Sequence, residues 1–185
     1  MKELTGKKVA ILATSGFEES ELFEPRKALL DNGAVVFIIA PEKGRIKGWN
    51  HGNWSKEIGV DLTVAEAKES DFDALILPGG VINPDKLRRY PEAVDFVRRF
   101  FDNNKFVASI CHGPQLLIEA DVVNGRTMTS FSSIKKDLQN AGANWIDDEV
   151  VVDNNLLTSR SPDDLKAFNR KLLEELARVE EPARR

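Results

Sequence analysis

Four strand-length apolar runs constrain this chain most: Val9-Ala10-Ile11-Leu12-Ala13, Ala34-Val35-Val36-Phe37-Ile38-Ile39, Ala74-Leu75-Ile76-Leu77 and Phe106-Val107-Ala108-Ser109-Ile110. The second is continuous and β-branched rather than alternating, the pattern of a strand covered on both faces, and the others read as buried strands as well. Each ends at a turn signal: Thr14-Ser15-Gly16, Pro41, Pro78-Gly79-Gly80 and Cys111-His112-Gly113-Pro114. Helical patterns alternate with them. Residues 21–32 stop at Asn32-Gly33, with Pro25 expected in the first turn, where its missing N–H costs nothing. Residues 91–103 carry Val94, Val97, Phe100 and Phe101 at helical spacing, and residues 114–120 follow the last run. Strands alternating with helices imply parallel pairing through crossovers, and no 20–50 residue repeat points to a solenoid. The expected class is α/β, three-layered, with residues 1–185 as one domain.

Two further stretches are readable. Residues 149–158 predict two strands about a tight Asn154-Asn155 turn, since asparagine tolerates positive φ. Ser161-Pro162-Asp163-Asp164 predicts a helix start with Ser161 as N-cap, followed by a long helix burying Leu165, Phe168, Leu172, Leu173 and Leu176. Residues 42–64, rich in glycine and carrying Trp49, His51 and Trp54, read as a hairpin or extended excursion. His51 is expected in an exposed loop, the tryptophan pair modestly favours an interface, and Trp145 is expected in the core.

Composition excludes several classes. Lys plus Arg number 26 against 30 Asp plus Glu, a net charge of −4, and the basic pairs are scattered, so nucleic acid is not an expected partner. The longest apolar run, 34–40, falls far short of the roughly 20 residues a membrane helix requires. Val9-Ala10-Ile11-Leu12-Ala13 is too short for a signal h-region and runs into Thr14, Ser15 and the acidic Glu18-Glu19 with no cleavage-like pattern, and a cytoplasmic protein is expected. One cysteine and two histidines forbid an internal disulfide and make a nitrogen–sulfur metal site improbable. No GxGxxG or P-loop pattern occurs, so neither a cofactor nor a metal is expected.

In parallel α/β sheets, function sits beyond the C-terminal ends of the strands. Residues 16–21, 78–85 and 111–114 therefore matter most. Ser109-Ile110-Cys111-His112-Gly113 has the small-x-nucleophile-x-small layout of a nucleophile elbow, between a buried strand and a helix. The positive end of that helix is expected to stabilise a thiolate. The N–H of His112 and another from Gly79-Gly80 can form an oxyanion hole, and the His112 side chain is the candidate base. Glu18, Glu19, Glu21 and Glu24 crowd the loop after the first strand, and one of them is expected beside the thiol.

These residues resemble the PfpI-type intracellular proteases, within the superfamily that includes the parkinsonism-associated deglycase and the class I glutamine amidotransferase-like fold. The resemblance runs from Lys8 to about Leu173. It is carried by Ser109-Ile110-Cys111-His112-Gly113-Pro114-Gln115-Leu116-Leu117, Phe72-Asp73-Ala74-Leu75-Ile76-Leu77-Pro78-Gly79-Gly80, Phe17-Glu18, Asn140-Ala141-Gly142-Ala143 and Glu149-Val150-Val151-Val152-Asp153. It implies a flavodoxin-like sandwich with Cys111 as nucleophile, Glu18 as the carboxyl bonded to it, His112 as base, and Gly80 and His112 N–H groups as oxyanion hole. It also implies a homo-oligomer, dimer or hexamer, in which Asp85 completes the neighbouring subunit's site.

Three functions follow as expectations. The first is a stress-protective cysteine hydrolase acting on methylglyoxal or glyoxal adducts of amines and thiols. The second is an intracellular peptidase using the same residues. The third is a redox-sensing stress protein acting through Cys111 without catalysis.

Overall fold

The computed structural model describes residues 3–179, and in it the four apolar runs become the middle of one sheet. β1 (Lys8–Leu12) leads through a loop to the two-residue β2 (Phe17–Glu18) and directly into α1 (Glu19–Asp31). β3 (Val35–Ala40), the pair β4 (Arg45–Asn50) and β5 (Asn53–Gly59), and short β6 (Leu62–Thr63) follow. β7 (Ala74–Leu77) precedes α2 (Ile82–Leu87) and α3 (Pro91–Asp102), and β8 (Phe106–Ile110) precedes α4 (Pro114–Glu119). Then come β9 (Thr127–Met128), α5 (Lys135–Asn140), β10 (Asn144–Trp145), β11 (Val150–Asp153), β12 (Leu156–Ser159) and α6 (Leu165–Arg178).

The main sheet runs β11-β12-β8-β7-β1-β3-β6 and is parallel except at the β11–β12 edge. Alternate residues of each inner strand face opposite layers. Val9, Ile11, Ile76 and Ala108 pack with Leu22 and Leu29 of α1 and Phe168 and Leu172 of α6. Ala10, Leu12, Leu75 and Val107 pack with Val97 and Phe100 of α3 and Leu116 and Leu117 of α4. Two covering layers explain why the runs are continuously apolar, each large buried side chain contributing about 1.5–3 kcal/mol. The result is the expected flavodoxin-like three-layer sandwich. No described helix is long and apolar enough to cross a membrane.

Residues 42–64 do form a hairpin. Its turn, His51-Gly52, has positive φ at both positions (47° and 82°), as a two-residue hairpin loop requires. Trp49 and Trp54 pair edge to face across it, centroids 5.2 Å apart, and His51 is exposed at the tip. The Asn154 turn is likewise as expected, at φ 53°.

Three local expectations need correction. α1 starts at Glu19, because β2 pairs with β4 and the Glu18 N–H donates to Gly79 O at 3.3 Å, committing the chain before residue 21. Pro25 therefore lies in the second turn, where it denies the Glu21 carbonyl its usual N–H partner. Ser161 does stand at the N-cap with Pro162 after it, but its side chain makes no capping bond; residues Pro162–Asp164 form a 3₁₀ turn that leads into α6, and Arg160 grips Asp164 at 2.9 and 3.0 Å. Trp145 is half-buried: it packs against the core from outside, with its Nε1 donating to the buried Ser130 Oγ at 3.0 Å.

Candidate active site

β1, β7 and β8 are neighbours, so the loops at their C-terminal ends meet. Cys111 sits where β8 turns toward α4, in the left-handed region at φ 62°. A non-glycine residue held there costs roughly 1–3 kcal/mol, and the surroundings enforce it. Its N–H donates to Ser159 O at 3.0 Å and its carbonyl accepts Phe131 N–H at 2.9 Å. Only glycine fits two residues on: a Cβ on Gly113 would stand 2.5 Å from Leu77 O and 2.6 Å from Ser109 Oγ. The small-x-Cys-x-small pattern is thus a packing requirement of the turn.

The carboxyl beside the thiol belongs to Glu21. Its Oε2 accepts Gly79 N–H at 2.7 Å, and the group lies within hydrogen-bonding reach of Cys111. Glu21 is fully buried, and Oε1 lacks a well-aligned partner. Glu18, the residue expected there, is half-buried three positions earlier, at the junction of β2 and α1. Its backbone is taken by β4 and Gly79 O, while its side chain interacts with Ser20 and lies near His51. The third position of the helix, not the residue before it, faces inward.

Burial raises the Glu21 pKa to about 8, although the bonds to Cys111 and Gly79 oppose it. Burial also pushes the Cys111 thiol up, and a charged Glu21 would push it further. Because Glu21 keeps its proton at neutral pH, that repulsion is largely relieved, and the two groups titrate as a coupled pair. The backbone N–H groups of Gly80 and His112 point at the sulfur and favour its anion. The simple expectation of a thiol lowered by the following helix is therefore not met: desolvation outweighs it. Glu18 is also raised, mainly by burial.

His112 Nδ1 stands 3.2 Å from Cys111 Sγ, and Nε2 3.0 Å from Ser133 Oγ. Phe131 stacks on the imidazole, centroids 4.8 Å apart. Burial lowers the His112 pKa, so the ring is neutral at pH 7. With Nδ1 accepting from the thiol, Nε2 carries the proton and donates to Ser133. Neither Ser133 nor Glu21 was singled out by the sequence. The Phe131 N–H bond to Cys111 O is what brings the 131–133 segment to the histidine.

Gly80 lies at φ 80°, with its Cα so close to Gly16 O and Glu18 N that a Cβ would be 2.6 and 2.7 Å away. Asp85 is exposed on α2 and makes no ion pair with a described residue. Among the described residues no cluster of three or more His, Cys, Asp or Glu could hold a metal. A cleft of about 990 Å³ lies at the far, N-terminal edge of the strands, lined by Lys8, Asp73, Lys105 and Arg126. Another of about 510 Å³ lies between Thr14, Arg45, Lys86 and Arg89. Neither includes Cys111, whose residue is 6% exposed.

Comparison with known proteins gives a consistent result. The model of the DJ-1/PfpI family matches residues 7–175. A Bacillus subtilis protein named "Putative cysteine protease YraA" is 46% identical over 90% of this chain and 96% of its own. General stress protein 18 of the same organism is 46% identical over 91% and 96%. The crystal structure of Drosophila melanogaster DJ-1beta superposes with a TM-score of 0.84 at 30% identity, covering 92% of this chain and 90% of that one. A two-domain Anabaena variabilis protein with DJ-1/ThiJ/PfpI-like and ferritin-like domains superposes with a TM-score of 0.87 at 42% identity. The match covers 92% of this chain but only 48% of that protein.

Proposed function

The chain belongs to the DJ-1/PfpI family, and from that premise we propose that it is a stress-protective cysteine hydrolase of methylglyoxal and glyoxal adducts on amines and thiols. The observation that carries this reading is the 3.2 Å approach of His112 Nδ1 to Cys111 Sγ, beside N–H groups of Gly80 and His112 that face the sulfur. His112, neutral, takes the thiol proton as the sulfur attacks, and returns it to the departing amine or thiol. For a methylglyoxal hemiaminal the sulfur replaces the amine at the carbinol carbon. The hydrogen on that carbon then moves as a proton to the adjacent ketone carbon through an enediol, giving a lactoyl thioester. Water cleaves the thioester to lactate and free thiol. The sum is adduct plus water to amine plus lactate: one carbon is oxidised, its neighbour reduced, and no outside oxidant is needed. The Gly80 and His112 N–H groups receive the oxyanion at the thioester stage. Glu21, protonated, relays protons between the substrate oxygens. Asp85, exposed on α2, is assigned to the site of a neighbouring subunit, making a homo-oligomer the working unit.

The enclosed thiol favours a small substrate, and the stress-protein name of a 46% identical relative agrees with a protective role. A second reading, peptidase, is favoured by the name of the other relative, and it uses the same nucleophile and base. The test is hydroxy-acid release from methylglyoxal-modified N-acetylarginine and N-acetylcysteine under anaerobic conditions, with free methylglyoxal and unmodified peptides in parallel. Saturable release that disappears in Cys111→Ser supports the hydrolase. Cleavage of peptides alone transfers the assignment to the peptidase, and reaction of free methylglyoxal alone to a glyoxalase. Reversible oxidation of Cys111 without any turnover leaves the sensor.

A further inference from the structure

We propose that Asn83 is a positioning residue that locks the Gly79-Gly80 turn onto the loop after β1 and so aims the Gly80 N–H at Cys111. Asn83 is fully buried in the first turn of α2, directly after the turn that supplies this N–H. Its terminal amide makes three hydrogen bonds. Oδ1 accepts the Thr14 N–H at 2.8 Å, and Nδ2 donates to Pro78 O at 2.9 Å and to Gly79 O at 3.2 Å. The network fixes the amide orientation, because only oxygen can accept from Thr14 and only nitrogen can serve two carbonyls. One side chain thus joins the C-terminal ends of β1 and β7.

The need for such a joint follows from the glycines. Gly80 has positive φ and almost touches Gly16 and Glu18, and Gly79 lies against Glu21 and the Cβ of Cys111. No side chain of their own can hold these two residues. Gly79 O is held by Asn83 and by the Glu18 N–H, so the peptide plane that ends in the Gly80 N–H is set from its carbonyl side. Asparagine offers one acceptor and two donors at once. Aspartate keeps the shape and the acceptor but turns a carboxylate toward two carbonyl oxygens.

The proposal rests on the reading that the Gly80 N–H serves the reaction at Cys111, and its test keeps the two apart. Wild type, Asn83→Asp and Asn83→Ala are compared in iodoacetamide alkylation of Cys111 across pH, in adduct turnover, and in thermal unfolding. We expect the alkylation midpoint to rise by about half a pH unit or more in both variants. We expect kcat to fall about 10–100-fold with KM changed less than about twofold. At neutral pH Asn83→Asp should be the more impaired despite its closer shape. A role in packing alone predicts the reverse order, and a lower unfolding temperature with a wild-type alkylation profile overturns the proposal. Should Asn83→Asp fail to fold, the alkylation profile of Asn83→Ala decides by itself. If no adduct is turned over by the wild type, the functional reading fails while the alkylation profiles still decide the role of Asn83.

Discussion

The carboxyl of Glu21 and the thiol of Cys111 meet in a space closed to solvent, with Gly79 N–H bonded to the same carboxyl at 2.7 Å. Two acids that share so small a volume cannot both ionise cheaply, so their protonation is one property of the pair. Stability and reactivity are therefore linked through this contact.

Glu21 gives stability a definite pH dependence. Its pKa is 4.5 ordinarily and about 8 in the fold, so the folded state binds the proton more tightly. This contribution is full below pH 4.5 and is lost as the pH rises toward and through 8, by at most about 5 kcal/mol. Urea unfolding between pH 5 and 8.5 should show stability declining, and Glu21→Gln should flatten that decline. An unchanged slope in Glu21→Gln would contradict the assignment.

His112 acts as a neutral base, so thiol reactivity should fall as acid protonates the ring, below the ordinary histidine range because burial lowers its pKa. Replacing His112 with alanine should slow adduct turnover by about 10²–10⁴-fold. Ser133→Ala removes the acceptor for Nε2–H and should cost less, about tenfold or under, as the tautomer loses its anchor. Single-turnover kinetics with stopped pH jumps would separate the two effects.

A methyl group at Gly79 would strike Glu21 Oε2 at 2.5 Å, Cys111 Cβ at 2.7 Å and Ile110 O at 2.8 Å. Gly79→Ala should destabilise by about 1–3 kcal/mol and displace both acids of the site. Denaturant titration would read the first effect and the Cys111 alkylation rate the second. A stable variant with native alkylation would show that the turn has room the structure does not contain.

Asp85 is exposed, so Asp85→Asn should change the stability of the subunit by no more than about 0.5 kcal/mol. Its effect should fall on turnover, and mixing Asp85→Asn with Cys111→Ser subunits should restore a part of the activity. Sedimentation with matched assays on dilution would test this. Two inactive partners that stay inactive when mixed into a proven oligomer would exclude a shared site.

Local sequence determined the strands, most of the helices and the elbow. Continuous apolar runs require two covering layers, Asn154 and His51-Gly52 tolerate positive φ, and Gly113 leaves space beside Ser109 and Leu77 O that a Cβ would fill at the Cys111 turn. These are short-range demands of backbone geometry and solvent exclusion. Which glutamate meets the thiol was decided by tertiary structure. Four acids stand within seven residues, and the inward one depends on where α1 begins, which β2 sets by pairing with β4 and bonding to Gly79. Ser133 and Asn83 were hidden for the same reason: each meets its partners through chain segments brought together only by the sheet. A run of like residues carries no phase of its own, and long-range pairing supplies it.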